Sequence, residues 1–405
     1  MDTQTSTRSG AGFHLSFMRD LQEWRDIIKW FMPSWFTVCM GSGILASCIG
    51  RLPYESQFLQ VLGYSIFFLN IALLCTFLAL QTAQLVWFPE IIGFMRRNPK
   101  RMLHYGAIPM ALGTVVSGMC NFGFAQQSFT LVCIAWTVWW ASVILASAAS
   151  VLLICLVVSR ETHSIESCTA AWLLLVAPLS VCATAGGNIA DLLPARLSLI
   201  TLVVSYTLLG AGAPLTCCLL VLYMFRITAY KLPSHDSIIT AFIPLGPIGQ
   251  IGAAALSLGS IANQTLVDAL PHLDSIGTTL LHFGILVALL SWGSCIFWLT
   301  HAIFSVIYQR RFATIPFNMS WWSLTFPFGV FATLTSYLGD VLQMWYLQVN
   351  FMIIVALLLV FWLFNMVRTV ASTWTGSVFV PPSASCDSSV KDVSTMNSLS
   401  SVCSP

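Results

Sequence analysis

The sequence is poor in charge. Only 8% of its 405 residues are Asp, Glu, Lys or Arg, while 57% are hydrophobic; soluble domains carry about 25% charged residues. A soluble globular protein is therefore excluded. The 17 basic and 15 acidic residues nearly cancel, so the chain has neither a basic nucleic-acid-binding surface nor an acidic solvating composition. We expect no nucleic-acid partner.

The sequence also lacks the motifs of common nucleotide- and metal-dependent enzymes. It contains no GxxxxGK[ST] phosphate loop, which argues against direct ATP hydrolysis. Gly41-Ser-Gly43-Ile-Leu-Ala46 matches GxGxxG/A by letter, but no strand precedes it in its apolar run. The 13 cysteines are scattered mostly through apolar runs and do not have the spacing of a disulfide framework or metal cluster. We expect no cofactor and no enzymatic activity.

The few charges leave long charge-free intervals between them. Each interval can supply the ~20 apolar residues that cross a hydrocarbon core of ~30 Å, and residues 102–159 can cross twice, with a polar break at Gln126-Gln127-Ser128. The sequence therefore predicts an all-α integral membrane protein with ten transmembrane helices. The intervals are 30–50, 56–89, 102–159, 167–190, 197–225, 237–267, 275–309, 312–339 and 341–367.

The positions of the cations predict the orientation, because Lys and Arg near span ends stay in the cytoplasm. With the N-terminus inside, fifteen cations are cytoplasmic and only Arg51 and Arg196 lie outside. Ten spans then return the C-terminus to the cytoplasm. We predict a cytoplasmic N-terminal segment with an interfacial amphipathic helix at 1–30, a transporter domain at 31–372 and a disordered, Ser-rich cytoplasmic tail at 373–405.

Proline recurs with a period of about seventy to eighty residues. Spans one, three, five, seven and nine are predicted to carry it internally, followed by small residues, while span six breaks the alternation with Pro214. The five repeat prolines are Pro33, Pro109, Pro178, Pro247 and Pro327. Proline disrupts helical hydrogen bonding, and irregular backbone in a membrane must be buried in protein or line a water-filled path. We predict five helical hairpins around a central pore, with close packing of ordinary membrane helices as the alternative.

Ionisable side chains are nearly absent from the predicted spans. His282 and His301 lie in span eight, where we favour packing roles, and Asp191 and Asp340 fall at the outer ends of spans five and nine. A neutral path binds its ion through hydroxyls, N–H groups and helix ends. No paired cations are present to hold a dicarboxylate, and no acidic ring favours cations. The sequence therefore favours a small inorganic anion as substrate.

Three segments carry a family resemblance: Pro33-Ser-Trp-Phe-Thr-Val-Cys-Met-Gly-Ser-Gly43, Leu245-Gly-Pro-Ile-Gly-Gln250 and Trp322-Ser-Leu-Thr-Phe-Pro-Phe-Gly329. Over about residues 31 to 372 the chain resembles the tellurite-resistance/dicarboxylate transporter family, particularly its fungal sulfite efflux pumps. The resemblance implies a plasma-membrane protein that exports sulfite or bisulfite, assembled as a homotrimer with one pore per subunit. It also implies a pore-plugging phenylalanine on the ninth helix, which falls on Phe328.

The candidate sites combine the repeat and the motifs. We expect Gln250 to offer an amide donor to the path, with cross-linking between helices as the alternative, and Phe328 to act as a gate, with a packed core ring as the alternative. Asn263 begins the sequon Asn263-Gln-Thr265 and is predicted to be an external glycosylation site. The remaining pore candidates are Pro33, Ser34, Thr37, Pro109, Pro178, Pro247, Gly249 and Pro327.

Two other functions remain open at this point. One is a malate or other C4-dicarboxylate carrier of the same fold. The other is a small-anion channel that conducts passively and is gated by phosphorylation of the N-terminal segment or the tail. A membrane enzyme or a structural scaffold is disfavoured, because the sequence shows no catalytic constellation.

Overall fold

The computed structural model describes residues 25, 27–54, 56–97, 99–159, 165, 168–269 and 274–374, and these residues form helices without strands. Most of the predicted N-terminal amphipathic helix and the tail after residue 374 lie outside the described residues. We number the ten helices of fourteen or more residues α1 to α10. Their bounds are Phe36–Ile49, Gln57–Trp87, Ala107–Asn121, Phe129–Val158, Ala177–Ala190, Ala195–Tyr230, Leu245–Ala269, Asp274–Arg310, Trp322–Leu342 and Trp345–Trp374.

The helices identify a multi-pass membrane protein. Seven helical segments are long and apolar enough to cross a membrane, and Pro33–Ile49 is a shorter apolar segment. The predicted break in 102–159 is confirmed, since α3 ends at Asn121 and α4 begins at Phe129. The three helices outside the seven are α1, α5 and α9. Two of them, α1 and α5, have only fourteen residues each.

Odd- and even-numbered helices differ in burial. Every residue of α1, thirteen of the fourteen in α5, and residues 324–339 of α9 are buried. The even-numbered helices bury only part of their surface and expose large apolar side chains, such as Phe68, Ile144, Val221, Leu290 and Val360. An exposed apolar surface of this kind suits contact with lipid. The odd-numbered helices therefore form the core.

The contacts between helices follow a closed order. Helix α1 packs against α3, α3 against α5, α5 against α7, α7 against α9, and α9 against α1. Each odd-numbered helix also packs against the even-numbered helix that follows it in the chain. Five consecutive helix pairs thus stand side by side, and the first helix of each pair lies on the inside.

A 3-10 turn precedes each odd-numbered helix, at Pro33–Trp35, Leu103–Gly106, Ala170–Leu175, Ile238–Phe242 and Met319–Trp321. The prediction of five internal prolines is wrong for four of them. Pro33 begins its 3-10 turn. Pro109, Pro178 and Pro247 each lie within the first three residues of their helices, α3, α5 and α7. Only Pro327 lies inside its helix. Proline in a first turn sacrifices no helical hydrogen bond, because the N–H groups there have no intrahelical partner.

Helices α7 and α8 approach each other backbone to backbone at three glycines. A Cβ atom on Gly259 would lie 2.6 Å from the carbonyl oxygen of Leu280. A Cβ atom on Gly284 would come closer still to the carbonyl oxygen of Ala255, and Gly277 likewise meets the backbone of α7. Since backbone atoms cannot swing aside as a side chain can, these positions require glycine.

Gly284→Leu is therefore expected to force α7 and α8 apart. The cost should reach or exceed the ~1–3 kcal/mol that is typical of overpacked cores, which will appear as a lower thermal unfolding temperature in detergent. Gly293→Leu on the same helix is the matched control, because no atom lies within 4 Å of a Cβ atom built there. Equal unfolding temperatures for the two variants would contradict the close approach.

Candidate functional site

Two cavities lie at opposite ends of the ring of odd-numbered helices. One, of about 540 Å³, lies where these helices begin, and we call it the N-end vestibule. The other, of about 510 Å³, lies where α1, α3, α5 and α9 end, and we call it the C-end vestibule. Between them is a central chamber of about 20 Å³, lined by residues from all five odd-numbered helices. The two vestibules and the chamber follow the axis of the ring.

The N-end vestibule is bordered by the first turns of the odd-numbered helices. Its lining includes Thr37 of α1, Met110 of α3, Ala177 of α5, Gly246 of α7 and Ser323 of α9. Unpaired N–H groups and the helix dipole give each helix start a partial positive charge. None of the described lining residues is acidic. This end of the ring therefore attracts anions without a lysine or arginine in its lining.

An apolar layer separates the N-end vestibule from the central chamber. Met40, Met110 and Phe326 are buried at the vestibule side, and Ile44 and Val181 are buried at the chamber side. Such hydrophobic constrictions exclude water and ions. A side chain in this layer would have to move before an ion could pass.

Gln250 is the buried amide of the central chamber, with 5% of its surface exposed. Its Oε1 accepts a hydrogen bond of 2.6 Å from the Thr184 hydroxyl, which links α7 to α5. Among the described residues Nε2 has no hydrogen-bond partner. This amino group is therefore free to donate a hydrogen bond to a ligand in the chamber. The hydrogen bond to Thr184 matches the cross-linking interpretation, and a donor role for Nε2 stays a prediction.

Other neutral polar groups of the chamber bond to one another. The Tyr337 hydroxyl donates to Oδ1 of Asn188 at 2.7 Å, and Nδ2 of Asn188 donates to Oγ of Ser117 at 3.2 Å. Nδ2 of Asn121 donates to Oγ of Ser47 at 2.6 Å. These bonds join α9 to α5, α5 to α3, and α3 to α1. They hold the chamber in shape and leave Gln250 as its free donor from α7.

The C-end vestibule is polar and charged. Arg51 and Asp340 form an ion pair across it, with 2.7 Å between the guanidinium nitrogen and Oδ2. The Arg51 guanidinium also lies 4.4 Å from the centre of the Tyr337 ring. Asp191 lines the same cavity. Both aspartates that the sequence placed at outer span ends therefore lie at this mouth.

The predicted pore residues separate into groups. Ser34, Thr37, Pro247 and Pro327 line the N-end vestibule, and Gln250 lines the chamber. The other predicted residues line none of the three cavities: Pro33, Pro109, Pro178, Gly249 and Phe328. Three of these are helix-start prolines. Gly249 instead allows α7 to approach α9, because a Cβ atom there would lie 2.7 Å from Cγ1 of Val330.

Phe328 packs away from the cavities. Its ring is 7% exposed and lies 5.2 Å from the ring of Phe361 on α10 and 5.8 Å from that of Phe242 before α7. Phe326 lines the N-end vestibule instead. Residues two positions apart on a helix differ by about 200° around its axis, so the rings of Phe326 and Phe328 point to nearly opposite faces. This position favours the packing interpretation of Phe328 and transfers the gate hypothesis to Phe326.

Asn263 lies inside α7 and not in a loop. Its Oδ1 accepts a hydrogen bond of 2.9 Å from the Thr278 hydroxyl of α8. Glycosylation acceptors lie in accessible surface loops. The structure therefore disfavours the predicted glycan at Asn263.

Comparison with known proteins identifies the family. The family model "SLAC1: Voltage-dependent anion channel" matches residues 30–370. The sulfite efflux pump SSU1 of Trichophyton rubrum is 32% identical over 342 residues, covering 82% of this chain and 88% of the relative. SSU1 of Candida albicans is 27% identical over 333 residues, covering 78% and 67% respectively. The malic acid transport protein of Schizosaccharomyces pombe is 19% identical over 345 residues, covering 84% and 77%.

These matches confirm the resemblance that the motifs carry. The family model covers far more than half of the chain, and it includes all ten helices except the last residues of α10. The chain therefore belongs to the SLAC1 family, whose model is described as a voltage-dependent anion channel.

Proposed function

We propose that this protein exports sulfite or bisulfite across the plasma membrane. The observation that carries the proposal is the central chamber, which combines a free, buried amide donor from Gln250 with neutral hydroxyl groups and has no charged side chain among its described lining residues. Such a site binds a small anion weakly enough to release it. Membership in an anion-channel family and the similarity to proteins named sulfite efflux pumps support this substrate.

All ten helices, in this proposal, cross the membrane as five hairpins around a central pore. Helices α1, α5 and α9 are enclosed by other helices, so their length need not match the lipid thickness. The N-end vestibule is the cytoplasmic mouth, because cations near span ends stay in the cytoplasm. The described cations in the connections and helix ends at that end include Lys29, Arg101, Arg226, Lys231, Arg310, Arg311 and Arg368. Both termini are then cytoplasmic, and tags at each end should be protected from external protease in intact cells.

The residues act in order along this path. The helix starts concentrate the anion in the N-end vestibule, and movement of the apolar layer around Phe326 admits it to the chamber. There the Nε2 amino group of Gln250 replaces part of the lost hydration. Thr184 holds the amide so that its amino group remains available. The anion then leaves through the C-end vestibule past Arg51.

A passive small-anion channel is the second candidate, and the description of the family model favours it. A C4-dicarboxylate carrier fits less well, although one relative is named a malic acid transport protein. The chamber of about 20 Å³ must widen to hold any of these anions, and it must widen more for a C4-dicarboxylate than for sulfite. The described lining residues of the chamber and of the N-end vestibule include no Lys or Arg that could pair with the two carboxylates of such a substrate.

Flux from proteoliposomes separates these candidates. Purified protein is expected to release radiolabelled sulfite, with competition by unlabelled sulfite and none by malate. Protein-free liposomes give the background leak. Malate flux as fast as sulfite flux would contradict the proposed substrate. A steady chloride current under an imposed voltage, in the absence of sulfite, would favour the channel.

A homotrimer is the assembly we propose, on the strength of the family resemblance. Each chain has its own ring of odd-numbered helices, so each subunit would hold one pore. Native mass spectrometry in detergent is expected to show three times the chain mass of 44.5 kDa. A species of one chain mass that still transports sulfite would contradict a functional requirement for the trimer.

A further inference from the structure

Arg51 occupies the point where the central chamber opens into the C-end vestibule. Its guanidinium covers the ring of Tyr337, and Tyr337 lines both cavities. Among the described residues that line the C-end vestibule, Arg51 is the one cation. An anion that leaves the chamber along the ring axis therefore passes next to this guanidinium.

The Arg51 side chain is positioned by contacts that do not depend on its ion pair. Its Nε donates to Oγ of Ser336 at 3.4 Å, and its guanidinium lies against the Tyr337 ring. The side chain is 23% exposed. The guanidinium can therefore stay in place when its acidic partner leaves.

Asp340 is equally able to give up the pair. Its side chain is 52% exposed, so water can solvate the released oxygen. Its other oxygen, Oδ1, accepts a hydrogen bond of 2.5 Å from Nε2 of Gln348. An exposed ion pair of this kind adds little to stability. Stability alone is therefore a weak explanation for a charged pair at this mouth.

We infer that Arg51 is the exit site for the oxyanion and that Asp340 is its built-in competitor. This inference rests on the proposed function. The N–H groups of a guanidinium match two oxygens of an oxyanion as they match a carboxylate. The outgoing oxyanion takes the place of Asp340 on Arg51, and the carboxylate then returns and displaces the oxyanion into the vestibule. Asp340 thereby keeps the exit site weak, so that the site does not retain the anion.

The test is a double-mutant cycle on sulfite binding, measured by equilibrium dialysis of radiolabelled sulfite against purified full-length protein. Asp340→Asn is expected to tighten binding about tenfold, because the neutral amide no longer competes for Arg51. In an Arg51→Gln background the same change should have no effect. Asp191→Asn is the matched control, since it removes the same charge from the same vestibule at a carboxylate that is not paired with Arg51.

Equal tightening by Asp340→Asn with and without Arg51, or equal tightening by Asp191→Asn, would overturn the inference in favour of a general charge effect. Unchanged binding in Asp340→Asn would also overturn it. If Arg51→Gln does not accumulate, Arg51→Lys serves in the cycle; it keeps the charge without the planar fork, and the gain should fall at least threefold. Coupling without sulfite flux would refute the proposed function alone, whereas flux without coupling would refute the exit site alone.

Discussion

Gln250→Leu is expected to reduce sulfite export about ten- to a hundredfold while the protein accumulates normally. Hydrogen bonds to charged groups contribute ~1.5–3 kcal/mol, and each 1.4 kcal/mol corresponds to about tenfold. The fold should tolerate the change, because the Thr184 hydroxyl also lies 3.1 Å from the carbonyl oxygen of Ser180 and can donate there. Initial export rates from proteoliposomes, normalised to reconstituted protein, measure the effect.

Gln81→Leu provides the matched control. Gln81 is also a buried glutamine in a helix, but its amide bonds to Gln84 and Tyr105 and lines none of the three cavities. It should lower the unfolding temperature and leave the export rate per folded protein unchanged. If Gln250→Leu instead fails to accumulate, or exports sulfite at the wild-type rate, the amide serves packing and the chamber is not the anion site.

Alanine at Phe326 and alanine at Phe328 are expected to act in opposite ways. Phe326→Ala removes a ring from the apolar layer and should raise the passive anion leak severalfold with near-normal abundance, because a hydrophobic constriction blocks by excluding water. Phe328→Ala removes a ring packed against Phe242 and Phe361. It should cost about 3–5 kcal/mol of stability and reduce flux only in proportion to lost protein.

Conductance of anions across planar bilayers, compared with the thermal unfolding temperature, separates the two outcomes. Each phenylalanine is the control for the other, since both lie on α9 and both are buried. If Phe328→Ala raises the anion leak and Phe326→Ala is stable with an unchanged leak, the gate is Phe328, as the family resemblance indicated.

Much of the helical architecture follows from the spacing of charge alone. Charge-free intervals located the ten helices, because a charged side chain within the hydrocarbon core is costly, and a polar segment, Gln126-Gln127-Ser128, located the break within 102–159. The position of the prolines within the helices was not predictable in the same way. A proline in an apolar run can kink a helix or begin one, and Pro178 and Pro327 look alike in sequence. They differ in where the helix begins, which is one residue before Pro178 but five residues before Pro327.

The site was predicted only in part. Gln250 was identifiable because an amide within an apolar run needs a partner. Asn188 and Tyr337 were missed, although each lies about ten residues after a repeat proline, as Gln250 lies three residues after Pro247. Their meeting depends on the rotation of each helix around its axis, which no single segment specifies. The same limitation explains why the gate was assigned to Phe328 and not to Phe326. A difference of two positions along α9 decides whether a ring faces the cavity or packs against other helices.

Because every hairpin repeats in the same direction, the five inner helices are parallel to one another. Many carriers instead contain inverted repeats. The two repeats exchange conformations, so that the binding site opens to each face of the membrane in turn. A parallel ring has no such symmetry: five positive helix ends meet at one mouth, and the negative ends of α1, α3, α5 and α9 meet at the other. A static field does no net work, yet it sets different half-saturation concentrations on the two faces. This asymmetry arises from the peptide backbone itself, so side-chain substitutions would not remove it.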